Sequence, residues 1–269
     1  NSNNNYGTYG NSTKQLDYLN AKAAWDITHG NNVLIGVIDV PMVRTTHEDI
    51  QPNLNTNYVS TWNATGDANP EVWFHATMVG SVAAGATDNG GMASIGFNSK
   101  LNFYDLSMPY DNIIKAALDG CRIINNSYTT GTIYSQNNQD VITMVHDVYH
   151  PFIVAGAGNV ANNTVLVYPA AYEHVISATG VGYMPRHTNP DPNAMYNWED
   201  LHDQWPYLPA YWADQSFNHT DSVDICAPGY YVYGAWVTAD NVYRRNWGTS
   251  FSSPFVCGTA ALILAVNPS

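Results

Sequence analysis

Six short runs that are apolar throughout, separated by stretches of helical pattern, constrain the fold of this chain more than anything else in it. The runs are "NVLIGVID" (32–39), "LNFYDL" (101–106), "CRIINNS" (121–127), "PFIVAGAG" (151–158), "HVISATGV" (174–181) and "VDICA" (223–227). Helical patterns lie at 18–28, 75–85, 111–120, 138–150 and 249–266. A strand with no polar alternation has no face to give to water, so it must be covered on both sides. Such strands alternating with helices predict an α/β fold of three layers: a doubly wound, mostly parallel sheet with helices on both faces. Ligands of these sheets gather at the carboxyl ends of the strands, and residues there are the functional candidates. A chain of 269 residues is long enough to bury the core of one such unit.

Charge narrows the partners. Nine Lys and Arg against 22 Asp and Glu give a net charge of −13. Nucleic acid is excluded as a partner, because phosphate neutralisation needs Lys and Arg; cations suit such a field. Charged residues are only 12% of the chain, about half the usual ~25%, so neutral amides, hydroxyls and backbone must supply most of the polar groups. No run of 18 uninterrupted apolar residues is present, so no transmembrane helix is expected. The start, "NSNNNYGTYGNSTKQ", lacks the basic and apolar segments of a signal peptide. It suits either a cytoplasmic chain or a mature chain freed of its leader. Cys121, Cys226 and Cys257 have no metal spacing and sit in apolar contexts, which reads as buried free thiols.

One segment breaks the rhythm. Residues 183–215 are rich in Pro, Trp and Tyr and show no period. They read as a surface excursion packed by its own aromatics, or as a loop that shapes a partner or substrate surface.

Three residues stand out against the pattern. Asp39 ends the first strand, where a carboxylate is costly unless paired, solvated or capping the next turn. His75 interrupts the apolar stretch "VWFHATMVGSVAAG"; alone, it would read as a hydrogen-bonded core residue. Ser250 opens the apolar helix of "WGTSFSSPFVCGTAALIL" and could simply cap it. A hydroxyl there also faces aligned N–H groups that favour an oxyanion. Asn159, after the strand "FIVAGAG", adds an amide donor at another carboxyl end, or a turn residue. Together the first three come in the order Asp, His, Ser, the subtilisin order that is a standard worked case of the catalytic triad.

With these frames the chain resembles a subtilisin-like serine protease, or subtilase, from about residue 16 to 269 except 183–215. "VIDVPMVRTTHEDI" is similar to the Asp block, "HATMVGSVAAG" to the His block and "GTSFSSPFVCGTAALI" to the Ser block. "VAGAGN", "YPAAYEHVISATGV" and "DICAPG" match further segments. The resemblance implies a single catalytic domain over 1–269 with an atypical insertion at about 183–215, and a C-terminal family segment missing after Ser269. Three positions depart from the family. Ala76 stands where Gly is usual, Met78 where a second His is usual, and Pro41 in a turn that usually reads Thr-Gly.

The resemblance implies that Ser250 is the nucleophile, His75 the general base and Asp39 its orienting carboxylate. Asn159 and the Ser250 N–H would form the oxyanion hole. It places Ser127, Tyr128, Thr129, Gly156, Ala157 and Gly158 along the pocket for the residue before the cut, with Val167 at its floor. No charge lines that pocket, which implies a preference for uncharged apolar residues. Asp49 in "HEDI" and the loop "GATDNGGM" (85–92), with Asp88, resemble the family's structural Ca²⁺ site. The implied protein is a secreted, monomeric endopeptidase acting on polypeptides, made with an N-terminal propeptide. Two other functions fit the same residues: an acyl-transfer peptide ligase or cyclase, and a non-catalytic binding protein on the subtilase fold.

Overall fold

The computed structural model describes residues 14–40, 42–55, 73–87, 90–160, 164–184, 197–199 and 217–268. Each of the six apolar runs forms a strand. These are β1 (Leu34–Asp39), β2 (Lys100–Asp105), β3 (Ile123–Asn126), β4 (Phe152–Gly156), β5 (Val175–Met184) and β7 (Ile225–Pro228). They pair in parallel in the order β2-β1-β3-β4-β5-β7. The short β6 (Asn197–Glu199) runs antiparallel to the end of β5, with Gly182 opposite Glu199. It is the described part of the aperiodic segment beyond Met184; residues 185–196 and 200–216 lie outside the described residues.

Alternation along the strands divides the core. Ile35, Val37 and Ile123 face the layer of α3 (His75–Ala84) and α6 (Thr249–Val266). Ile38, Ile124 and Ala155 face the layer of α4 (Pro109–Leu118) and α5 (Gln136–Tyr149). Successive side chains of a strand point to opposite faces, so an uninterrupted apolar run serves both layers.

α3 and α6 are the inner helices, and their sequences show it. Every residue of α3 after His75 is buried, as expected of a helix apolar all round. Its buried Ser81 donates to Met78 O (2.8 Å) and accepts the Ala235 N–H (2.9 Å). Met78, where the resemblance expects a second histidine, is fully buried against the hairpin of β8 (Val232–Ala235) and β9 (Tyr243–Asn246). A Cβ on Gly234 would fall 2.7 Å from Met78 Cγ, so the long thioether is matched by a missing side chain opposite. α6 has a mean hydropathy of 1.6 over 18 residues, which a membrane span could share, but 67% of it is buried inside the protein. It is a core helix lying across β3, β4 and β5.

Three expectations need correction. The helix expected at 18–28 is two short helices, α1 (Lys14–Tyr18) and α2 (Ala21–Trp25), because Asn20 takes a left-handed conformation (φ 52°) that breaks the run. The β8–β9 hairpin was not expected, although β8 lies in the apolar run "YYVYGAWV" (230–237). Cys226 is exposed, since the first half of β7 faces outward, whereas Cys121 and Cys257 are buried. Burial pushes the Cys121 thiol up to about 11, which keeps it protonated and inert.

Candidate active site

Asp39 is the last residue of β1 and only 2% exposed. Its Oδ1 accepts the Val40 N–H at 2.7 Å. Both carboxylate oxygens face His75 Nδ1, at 2.8 and 2.9 Å. An ionised carboxylate can only accept, so Nδ1 carries the proton and Nε2 keeps its lone pair. His75 is the first residue of α3, and its ring lies between those of Phe74 (5.9 Å between centroids) and Phe251 (5.6 Å). Burial pulls the imidazole pKa down, but the Asp39 charge and hydrogen bond outweigh it and hold it above the ordinary 6.5. The side chain remains 23% exposed, which leaves the ring an open edge.

Ser250 lies in the first turn of α6, where backbone N–H groups have no partner within the helix. It is tied to Ser127 twice. Ser250 Oγ donates to Ser127 O (3.2 Å) and Ser127 Oγ donates to Ser250 O (2.7 Å). The second bond depends on Pro254, which has no N–H to return to the carbonyl four residues back and so leaves Ser250 O to an outside donor. Behind it, Ser253 Oγ donates to Asn125 Oδ1 (2.6 Å) and Asn125 Nδ2 donates to Ser127 Oγ (2.9 Å). Among the described residues no hydrogen bond joins His75 to Ser250. Phe251 brings the two segments together, and rotation about χ1 moves the hydroxyl without moving the helix. Catalytic hydrogen bonds of this kind commonly tighten only with substrate.

Asn159 Oδ1 accepts the Thr249 N–H at 2.8 Å. This uses up the oxygen and fixes the amide with its NH₂ as the remaining donor. A Cβ on Gly248 would lie 3.4 Å from Asn159 Nδ2, and Gly248 has a φ of 138°, so backbone passes here where a side chain would crowd. Thr249 Oγ1 accepts the Gly158 N–H (3.0 Å), so strand end and helix start hold each other.

The chain matches the model of the subtilase family over residues 30–269. The chain belongs to the subtilase family. It is 30% identical to a halolysin of Haloferax mediterranei over 93% of its length, which is 45% of that protein. It is 29% identical to a thermophilic serine proteinase of a Bacillus species over 95% of its length, or 57% of that protein. The chain thus spans about half the length of these curated relatives. In fold it is similar to a protease from Pseudoalteromonas arctica (TM-score 0.70, 23% identity, 98% of this chain and 84% of that one). It is also similar to a prenylagaramide maturation protease (TM-score 0.65, 21% identity, 92% and 81%).

The end of β4 packs closely on the start of α6 and on Val167. Gly156, the end of β4, packs on Thr249; Ala157 N–H donates to Ala178 O (2.9 Å). Gly158 has a φ of 108°, and a Cβ there would lie 3.3 Å from Val167 Cγ2, so Val167, 8% exposed, packs against this loop. Tyr128 donates to Asn126 Oδ1 (2.9 Å), and exposed Thr129 accepts the Gly131 N–H (3.0 Å). Asn218 was missed from sequence. It is fully buried, accepts the Val160 N–H on Oδ1 (3.0 Å) and donates its own N–H to Gly158 O (3.0 Å), so it braces the loop carrying Asn159. It stands just after the aperiodic segment with no pattern around it, and no local signal marks it.

The subtilase's Asp49 is fully buried. Its Oδ2 accepts the Met92 N–H (3.3 Å), its backbone O accepts the Ala86 N–H (2.9 Å), and a Cβ on Gly91 would fall 2.6 Å from Oδ1. Residues 85–87 and 90–92 therefore pack closely on a buried carboxylate. Asp88 and Pro41 lie outside the described residues.

The Ser127–Ser250 tie is testable. Ser127→Ala leaves the Ser250 carbonyl without its donor and is expected to lower unfolding stability by about 1–3 kcal/mol. Pro254→Ala in that background restores an N–H at position 254 and recovers part of the loss. Urea unfolding of both single variants and the double variant measures the coupling, expected at about 0.5 kcal/mol or more. Strictly additive effects would refute the account of Pro254.

Proposed function

We propose that this subtilase is a secreted serine endopeptidase that hydrolyses polypeptides through an acyl-enzyme. The observation that carries the reading is the Asp39–His75 contact on both carboxylate oxygens, beside a serine held at the start of a buried helix. Ser250 Oγ attacks the peptide carbonyl while His75 Nε2 takes its proton. The tetrahedral oxyanion is met by the Asn159 amide and the Ser250 N–H, and His75 then delivers the proton to the leaving amine. Asp39 keeps the proton on Nδ1 and stabilises the imidazolium. Water repeats the sequence to release the acid.

The further readings rest on the same frame. Substrate lies extended between Ser127–Tyr128–Thr129 and Gly156–Ala157–Gly158. The residue before the cut points toward Val167, which favours uncharged apolar side chains. A structural Ca²⁺ is held by Asp49 and by oxygens of the 85–92 loop, with Asp88 as a second carboxylate. Maturation removes an N-terminal propeptide, and the mature protein acts as a monomer outside the cell.

Four measurements test this. Casein is expected to be cut by the protein and left intact by Ser250→Ala; equal cleavage by both would overturn the assignment, and joined rather than hydrolysed products in mass spectra would replace hydrolysis with acyl transfer. His75 works as a base only when neutral, so kcat/KM falls as pH drops through its raised pKa, and the acid limb lies above pH 6.5. Asp39→Asn removes both contributions that raise that pKa and leaves burial. The limb then moves to lower pH and the rate falls by about 10⁴; an unmoved limb contradicts the pairing. Val167→Gly is expected to broaden the preference before the cut in a peptide library, and an unchanged profile refutes the pocket floor. EDTA is expected to lower the thermal midpoint, and an unchanged midpoint removes the Ca²⁺ reading.

A further inference from the structure

At the opposite edge of the sheet from Asp39, Asn159 and Ser250, three histidines converge from two segments. His146 lies in the last turns of α5, His150 is the residue that ends that helix, and His174 directly precedes β5. They line a groove of about 660 Å³ with Phe152, Asp224 and Ile225, at the amino-terminal starts of the neighbouring strands β4, β5 and β7. One ligand atom from each of His146, Asp147 and His174 lies within 4.8 Å of the other two.

The detail fits cation binding. His146 Nδ1 is 2.9 Å from Asp147 Oδ1. The carboxylate can only accept, so Nδ1 is protonated and Nε2 carries the lone pair that a metal takes. This is the carboxylate–histidine arrangement that makes an imidazole a better ligand. The His146 and His174 rings stack with centroids 4.0 Å apart and planes 13° apart. His150, one helical turn along, lies 6.5 Å from His146. Helix-dipole attraction would account for His146 and His150 alone, but not for His174, which comes from another segment. His150 (φ 52°) and His174 (φ 67°) both adopt the left-handed conformation, where Gly, Asn, Asp and His are the enriched choices.

We propose that His146 and His174, with His150 within reach and Asp147 as the outer partner that orients His146, form a site for one divalent transition-metal ion of the Zn²⁺ or Ni²⁺ class. Imidazole nitrogen suits these ions, while Ca²⁺ prefers all-oxygen sets. The site is therefore separate from the Ca²⁺ site proposed at Asp49. At metal–nitrogen distances of about 2.1 Å, tetrahedral ligands stand about 3.4 Å apart, so side chains that offer ligand atoms within 4.8 Å must draw together and turn to bind one ion. Nitrogen lone pairs lie in the ring planes, so the stacked rings must open on binding. His174 and His150 are exposed and have the groove to move into. The ion would tie the end of α5 to the turn before β5.

Zinc alone, titrated calorimetrically into calcium-saturated protein, tests the proposal. One equivalent is expected to bind and to raise the thermal midpoint. His146→Gln and His174→Asn are expected to weaken that equivalent by at least the roughly 10- to 100-fold that loss of an outer partner alone costs. Asn tolerates φ near 67°, so His174→Asn keeps the turn. Unchanged metal-free thermal midpoints and casein cleavage in both variants show that the fold and the distant catalytic edge are intact. Zinc affinity and stoichiometry unchanged in both variants, or no binding by the parent at millimolar zinc, overturns the proposal.

Discussion

The site depends on how the first turn of α6 is anchored. The first turn of a buried helix has N–H groups without partners inside the helix; here one of them finds a partner at a strand end, and side chains and carbonyls of the same turn make further ties there. Asn159 takes the Thr249 N–H, Thr249 Oγ1 takes the Gly158 N–H, and Ser127 exchanges hydrogen bonds with Ser250. Each tie satisfies a polar group that would otherwise be costly to bury, and each also sets the position of a group in the proposed chemistry. Pro254 joins the two purposes, because the hydrogen bond it cannot make frees the carbonyl that Ser127 holds.

A low-charge chain builds such an interior with neutral groups. Asn53, Asn102, Asn125, Asn126 and Asn218 are all buried. Asn126 donates to Val154 O (3.2 Å) and Asn53 to Ala84 O (2.9 Å), so amides stitch strand ends and loops together without the desolvation cost of ions. The buried Asp39–His75 pair is an exception to this economy. A carboxylate at 2% exposure is kept there by the proton it fixes on Nδ1 and by the Val40 N–H.

Much of the fold was legible because its signal is local. Strands buried on both faces show as uninterrupted apolar runs, and all six appeared near their expected bounds. The α6 span matched residue for residue, since Gly248 and Asn267 bracket an apolar run. The split of the first helix at Asn20 and the β8–β9 hairpin were not legible. One turns on a single backbone dihedral, and the other is stabilised by packing on α3. Asp39, His75, Asn159 and Ser250 could be named from their frames, with the family resemblance joining them. Met78 could not be explained until Gly234 was found opposite it.

The sequence by itself determined the layered parallel sheet, the burial of α3 and α6 and the identity of the residues at the strand ends, because periodicity and composition act over a few residues. Only the tertiary structure decided which of those residues meet. Asn218 braces a loop some 58 positions away from it, Ser127 grips a carbonyl 123 positions on, and His174 stacks on His146 from a separate segment. Contacts of that separation arise from how layers pack and chains cross, and no local pattern in the sequence encodes them.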